Sequence, residues 1–131
     1  MKWIVAYATC FLIFGMIDAM WLSWSGPNLY RPVLGSILAD EFRLAPAALF
    51  YLAYVAAVVW FAVQAGMSRG IGHAAINGAI LGAIAYGTYD LTNQATMKVW
   101  ATSVTIIDIA WGSFATALSA TITTWVVRRM H

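Results

Sequence analysis

The sequence predicts an all-α polytopic membrane protein, with four transmembrane helices packed in one compact bundle. The first observation is composition: 63% of the 131 residues are hydrophobic and only 9% are charged, against about 25% charged in an ordinary soluble domain. The second is length, because four stretches each supply the roughly 20 mostly apolar residues that a membrane-spanning helix needs. A soluble domain of this size would lack the polar side chains to cover its surface.

The same composition excludes several other classes of protein. Intrinsic disorder, nucleic-acid binding and a disulfide-stapled secreted domain all require residues that this chain lacks. The formal net charge of +2 is too small to indicate an anionic partner, and the single cysteine, Cys10, cannot form an internal bridge. We therefore expect the lipid bilayer as the main partner and no nucleic acid.

The four predicted spans form a single domain over residues 1–131. They cover about residues 3–24, 47–66, 71–91 and 102–127. Gly26-Pro27 is predicted to end the first helix, and the polar run from Thr92 to Lys98 is predicted to end the third. Pro46 suits the first position of the second helix. The first span is too long for a signal-peptide core, so we expect it to be retained.

The longest predicted connection runs over residues 25–45. Leu34, Ile37, Leu38 and Phe42 fall there at helical spacing, which favours either a short helix lying in the interface or a partly buried loop over the outer face. Lys and Arg are slightly more numerous on the side of the N-terminus, which predicts that both termini are cytoplasmic.

Acidic residues enter the predicted spans, whereas no Lys or Arg lies well inside one. The three are Asp18, Asp90 and Asp108, out of five acids in the chain. A charged group in a bilayer is costly, so an intramembrane acid indicates a functional site by default. Asp18 and Asp108 each lie six residues, about 9 Å, from the outer end of their spans, and Asp90 lies near the outer end of the third. We expect all three in the outer leaflet, facing the bundle interior.

A short sequence echo links the first and fourth spans. Residues 17–23 and 107–113 share the pattern I-D-x-x-W-x-S. Because the two helices cross in opposite directions, the echo predicts level carboxylates with Trp21 one turn outward and Trp111 one turn inward. Inverted repeats are common in transporters, although four matching residues also arise by chance.

The predicted pocket combines these acids with nearby aromatic and amide side chains. Its members are Asp18, Trp21, Tyr86, Tyr89, Asp90, Asn93, Asp108 and Trp111. Gly82, Tyr86 and Asp90 share one helix stripe, because residues spaced by four lie on the same face. The series Ala74, Gly78 and Gly82, which we call the glycine stripe, predicts close helix packing in lipid. The structural alternative is a hydrogen-bond network that joins helices, with bonds worth about 0.6 kcal/mol each on average in one measured membrane protein.

Metal and cofactor chemistry is not indicated by the sequence. No second histidine stands at ligand spacing from His73, and no Glu-x-x-His pair of the di-iron type is present. We therefore predict no metal centre, although carboxylates alone would suit a hard cation. No phosphate-binding loop and no nucleophile–base pair is apparent, so enzymatic activity is the less favoured expectation.

Four segments resemble the bacterial membrane-protein family catalogued as domain of unknown function 2177. They are residues 18–22 (DAMWL), 50–54 (FYLAY), 86–96 (YGTYDLTNQAT) and 107–112 (IDIAWG). The resemblance covers almost the whole chain, and the third segment is its most specific part. It implies a four-helix integral protein of the bacterial cytoplasmic membrane, whose relatives are encoded in gene clusters near lipid-modifying enzymes, and it implies no activity, substrate or catalytic residue.

Three functional hypotheses follow from the sequence. The first is a protein that binds or transports a proton, a cation or a small amphiphile at the carboxylate site. The second is an accessory or assembly subunit of a membrane lipid-modifying system, acting with a membrane partner protein or as a homo-oligomer. The third is a lipid-acting enzyme that uses paired aspartates as acid and base.

Overall fold

The computed structural model describes residues 1–38 and 43–131, and every regular element in those two ranges is helical. The helices are α1 Lys2–Ser25, α2 Arg31–Leu34, α3 Leu44–Val58, α4 Gln64–Arg69, α5 Ile71–Thr96 and α6 Thr102–Met130. Two π-helical turns, Gly26–Tyr30 and Val59–Val63, join α1 to α2 and α3 to α4. The predicted all-α class is confirmed.

Within residues 1–38 and 43–131, three continuous helical segments are long and apolar enough to cross a membrane. They are Lys2–Leu34, Leu44–Arg69 and Thr102–Met130. Helix α5 has 26 residues, or about 39 Å of helix, which exceeds the roughly 30 Å hydrocarbon core. However, the mean hydropathy of α5 is too low for it to be counted with these three segments. Its polar residues include His73, Asn77 and those of its last turn. That α5 crosses the membrane stays a prediction.

The first helix does not end at Gly26-Pro27, contrary to the sequence prediction. Pro27 has no backbone N–H, so it cannot continue the α-helical hydrogen-bond ladder. The backbone forms a π turn instead, in which the N–H of Arg31 bonds to the carbonyl of Gly26, five residues earlier. Helical structure therefore continues to Leu34, and the predicted connection is shorter than expected.

In the described part of that connection, helical structure extends to Leu34, and the choice between the two alternatives stays a prediction. Leu34 is buried at the end of α2, and Ile37 and Leu38 follow it in a turn and a bend. Phe42 lies outside the described residues.

Two other predicted boundaries also differ from the structure. The second long helix begins at Leu44, so Pro46 is its third residue rather than its first. A proline is tolerated there because the first-turn N–H groups have no partner within the helix. Helix α5 continues past Leu91 to Thr96, so most of the polar run that was predicted as a break is helical. Side-chain hydroxyls in this turn bond to backbone carbonyls four residues earlier, as Thr96 does to Thr92.

Helices α5 and α6 make the tightest contact in the bundle. A Cβ atom added to Gly78 would lie 2.9 Å from the Cα atom of Ala117. One added to Gly82 would meet the backbone of Gly112. Small residues spaced by four let helices approach closely in lipid, and the predicted glycine stripe on α5 performs this role. The close approach fixes the positions of Tyr86, Asp90 and Asp108 farther along the two helices.

Candidate binding site

A cavity of about 880 Å³ lies at one end of the bundle. We call this end the loop end, because Leu38 and Arg43, from the connection between the first two long helices, line the cavity. Small-molecule sites commonly enclose about 300–1,000 Å³. The cavity draws side chains from α1, α5 and α6 into one space. Five of the eight predicted site residues line it: Asp18, Trp21, Tyr86, Tyr89 and Asp108.

Asp18 stands on α1 with only 5% of its surface exposed. Its carboxylate accepts a hydrogen bond from the Tyr51 hydroxyl of α3 and another from the Trp111 indole nitrogen of α6 at 3.2 Å. Bonds to ionised groups are stronger than neutral ones. A single carboxylate therefore ties three helices together at the floor of the cavity.

Asp108 stands on α6 and is similarly enclosed, with 6% of its surface exposed. It accepts a hydrogen bond from the Tyr30 hydroxyl. The Tyr30 oxygen in turn accepts a bond from the Trp21 indole nitrogen at 3.3 Å. A chain of polar contacts thus runs from α1 through Tyr30 to α6.

The two tryptophans of the sequence echo stack on each other. Their ring centroids are 4.7 Å apart and their planes differ by 8°. The contact brings the two rings together between α1 and α6, and the order of Trp21, Trp111 and the carboxylates along the membrane normal stays a prediction. The hydrogen bonds of the echo form a crossed pattern, in which Trp111 bonds to Asp18 and Trp21 reaches Asp108 through Tyr30.

Asp90 occupies a different position from the other two acids. It is fully buried, neither carboxyl oxygen has a hydrogen-bond partner among the described residues, and it does not line the cavity. Its carboxyl group lies beside that of Asp108, but their geometry falls short of a hydrogen bond. Asp90 therefore lies next to the site, but outside the cavity surface that a ligand would contact.

The other two predicted residues also stand off the cavity wall. Trp111 lies behind it and reaches the site through its bond to Asp18. Asn93 is half-buried on α5 and does not line the cavity.

Sequence reasoning did not identify Tyr30 as a site residue. Its position depends on the π turn, which adds one residue between Ser25 and the next position on the same helix face. In a regular helix a spacing of four would bring Leu29 onto the stripe of Asp18 and Ser25. The π turn lengthens this spacing to five, so Tyr30 takes that place instead. Pro27 inside an otherwise helical segment was the available signal.

The remaining wall residues give the cavity a mixed character. Arg31 and Arg43 line it together with the two aspartates, and Phe50 and Trp100 add aromatic rings to those of Trp21 and the tyrosines. Aromatic faces and carboxylates both attract cations, whereas arginines bind oxyanions. Leucine side chains add apolar surface. The arrangement suits a small molecule with a charged group and an apolar part.

A model of the family described as predicted membrane protein, DUF2177, matches residues 3–125. The chain belongs to this family. The match includes all the cavity-lining residues, which fall between Asp18 and Asp108. The membership confirms the resemblance seen in the four sequence segments and agrees with an integral membrane protein.

No curated protein and no solved structure matches this DUF2177 chain. Its cavity therefore has to be interpreted from its own geometry.

Proposed function

We propose that this protein binds a small amphiphile that carries a cationic group, in the cavity at the loop end. The observation that carries the proposal is that Asp18 and Asp108, from different helices, line the same aromatic-walled cavity. An ammonium group there would meet carboxylate oxygens and ring faces at once, and both attract cations. Burying two acids among the helices costs free energy, and ligand binding would explain why the protein carries that cost.

The size of the cavity favours a molecule over a bare ion. A volume of about 880 Å³ belongs to the upper part of the range for small-molecule sites. Across residues 1–38 and 43–131, no three His, Cys, Asp or Glu side chains are grouped so that they could hold a metal ion. Leu22, Leu34 and Phe50 offer apolar surface that a proton or an inorganic cation would leave unused.

An acid–base enzyme is less well supported than a binding protein. Asp90 has its carboxyl group beside that of Asp108, but it is fully buried away from the cavity. A general base has to reach the proton that it removes, directly or through one water. Asp18 and Asp108 are each held by hydrogen bonds from aromatic side chains, which suits fixed ligand groups.

The proposal includes a topology for the chain. Helix α5 also crosses the membrane, which brings the number of crossings to four, since it packs along α6 over its glycine stripe. Both termini face the cytoplasm of a bacterium. The loop end then opens at the outer leaflet, where an amphiphile can enter from the membrane surface. Transport across the membrane would require a second opening toward the inner side.

The direct test is binding of dodecyltrimethylammonium to the full chain in lipid nanodiscs. The variants are Asp18→Asn and Asp108→Asn, with Ser119→Ala as the control, because Ser119 is a fully buried polar residue of α6 that does not line the cavity. We expect both cavity variants to lose about tenfold or more in affinity, since each removes one charge partner worth about 1.5–3 kcal/mol. The control is expected to bind as the wild type does.

Equal binding by wild type, Asp18→Asn and Asp108→Asn, all of them folded, would overturn the proposal. Absence of binding by the folded wild type would also overturn it, and stable co-purification of a membrane protein would then favour the accessory-subunit hypothesis. If binding is confirmed, uptake of the same probe into proteoliposomes distinguishes a transporter from a binding protein, with Asp18→Asn expected to abolish uptake.

A further inference from the structure

An apolar groove lies beside the carboxylate cavity, between α1 and α3. On α1 its residues are spaced by four, four and three, so they form one continuous stripe along the helix. The groove has a volume of about 230 Å³, and its lining is mostly apolar: Phe11, Gly15, Ala19, Leu22, Tyr51 and Val55.

The groove and the cavity share two wall residues. Leu22 and Tyr51 line both spaces. The Tyr51 hydroxyl bonds to Asp18 at the cavity side, while its ring faces Phe14 of α1 with centroids 5.9 Å apart. The groove thus begins at the level of the cavity carboxylate and leads away from it.

The groove also has a direction and a length. From Leu22 to Phe11 the stripe covers eleven residues of α1, or about 16 Å along the helix axis. It runs from the cavity toward the middle of the span, parallel to the hydrocarbon chains of a surrounding bilayer. Phe11 and Leu22 are both more than a third exposed, so the groove is open to lipid along its side.

We infer that this groove holds the hydrocarbon chain of the ligand whose charged group occupies the cavity. The inference rests on the proposed function and adds the ligand class: a lipid-like amphiphile with an unbranched alkyl chain. The occupant follows from continuity, because a molecule with its cationic group at Asp18 has its nearest apolar exit past Leu22 and Tyr51. The ligand enters sideways from the leaflet, with its chain remaining in the hydrocarbon.

Gly15 provides a means of filling the groove without disturbing the bundle. A Cβ atom added at Gly15 meets nothing within 4 Å. Gly15→Leu therefore places a side chain in the groove, and it replaces a poor helix former by a good one. The matched control is Gly72→Leu on α5, where an added Cβ also meets nothing within 4 Å and which lines neither space.

The experiment uses two photoreactive dodecyltrimethylammonium probes on the full chain in nanodiscs. One carries a diazirine at the chain end, and the other carries it beside the ammonium group. We expect the chain-end probe to label the groove, around Phe11 and Val55, and the head-end probe to label the cavity. Gly15→Leu is expected to lose the chain-end labelling, and Gly72→Leu is expected to keep it.

The two probes separate failure of this inference from failure of the proposed function. The groove inference would be overturned if chain-end labelling were spread evenly over the lipid-facing surfaces or were unchanged in Gly15→Leu, while head-end labelling still depended on Asp18. If head-end labelling were the same in Asp18→Asn as in the wild type, both the proposed function and the groove inference would be overturned.

Discussion

Tyr30 donates its hydroxyl hydrogen to the carboxylate of Asp108, and the two residues are 78 positions apart in the chain. The same hydroxyl oxygen accepts a hydrogen bond from Trp21 at 3.3 Å. The bond connects the helical extension beyond Pro27 to α6 at the cavity. It makes the local backbone irregularity of the first helix part of the candidate site.

Loss of the Tyr30 hydroxyl is expected to weaken binding without unfolding the protein. Tyr30→Phe keeps the ring in the cavity wall but leaves Asp108 and the Trp21 indole each short of one partner. A bond to a charged group is worth about 1.5–3 kcal/mol, so we expect roughly tenfold weaker binding of dodecyltrimethylammonium. The matched control is Tyr7→Phe. The Tyr7 hydroxyl donates a 2.8 Å hydrogen bond to the Leu52 carbonyl, and neither residue lines the cavity. Equal losses in the two variants would contradict the role of Tyr30.

The π turn at Pro27 is expected to be a requirement for the site. Replacing both Pro27 and Pro32 by alanine restores the two backbone donors that this segment lacks and permits a regular α-helix, in which Tyr30 would rotate by about 100° around the helix axis. We expect the affinity of this proline-free variant to fall to that of Tyr30→Phe, and the combination of the two to be no worse than either. Pro46→Ala is the control, because Pro46 lies in a first turn that needs no donor. Additive losses in the combination would show that the prolines act independently of Tyr30.

Close packing of α5 on α6 predicts a strong difference between two glycines of the same helix. Gly82→Ala forces a methyl group into the backbone of Gly112, whereas Gly87→Ala meets its nearest atom, in the Ile109 side chain, at an ordinary 3.7 Å. Overpacking typically costs about 1–3 kcal/mol. We expect Gly82→Ala to lower the free energy of unfolding in a mixed-micelle denaturation titration by that amount, and Gly87→Ala to leave it unchanged or raise it. Equal stability would contradict the close approach.

The two cavity arginines are expected to distinguish a zwitterionic amphiphile from a purely cationic one. Arg31→Gln and Arg43→Gln should weaken binding of dodecylphosphocholine, which carries a phosphate, more than binding of dodecyltrimethylammonium, which does not. Arginine pairs well with phosphate because its planar donors match the oxyanion. Arg69→Gln is the control, since Arg69 ends α4 and lies outside the cavity. A uniform effect on both amphiphiles would argue against a phosphate contact.

The sequence was sufficient to predict the fold class, and five of its eight predicted site residues lie in the cavity wall. Apolar length predicts spanning helices, and the rarity of charge made Asp18 and Asp108 conspicuous. Helix periodicity correctly assigned the glycine stripe to a packing face. These features are local, so composition and spacing reveal them.

Other features depend on contacts between distant parts of the chain. The convergence of Tyr30, Tyr51 and Trp111 on two carboxylates depends on how α1, α3 and α6 are rotated against each other. The π turn shifts Tyr30 by one position, which no regular period predicts. Asp90 is also an acid within a predicted span, but the structure places it behind the cavity rather than in its wall.

The most direct test of the central claim is a distance measurement between the ligand and the carboxylates. Solid-state NMR of the full chain in lipid, with ¹⁵N in the ammonium group of the probe and ¹³C in the aspartate carboxyl groups, reports their dipolar coupling. The cavity geometry predicts coupling to Asp18 and Asp108 and none to the buried Asp90. Bound probe that shows no coupling to either Asp18 or Asp108 would contradict the account.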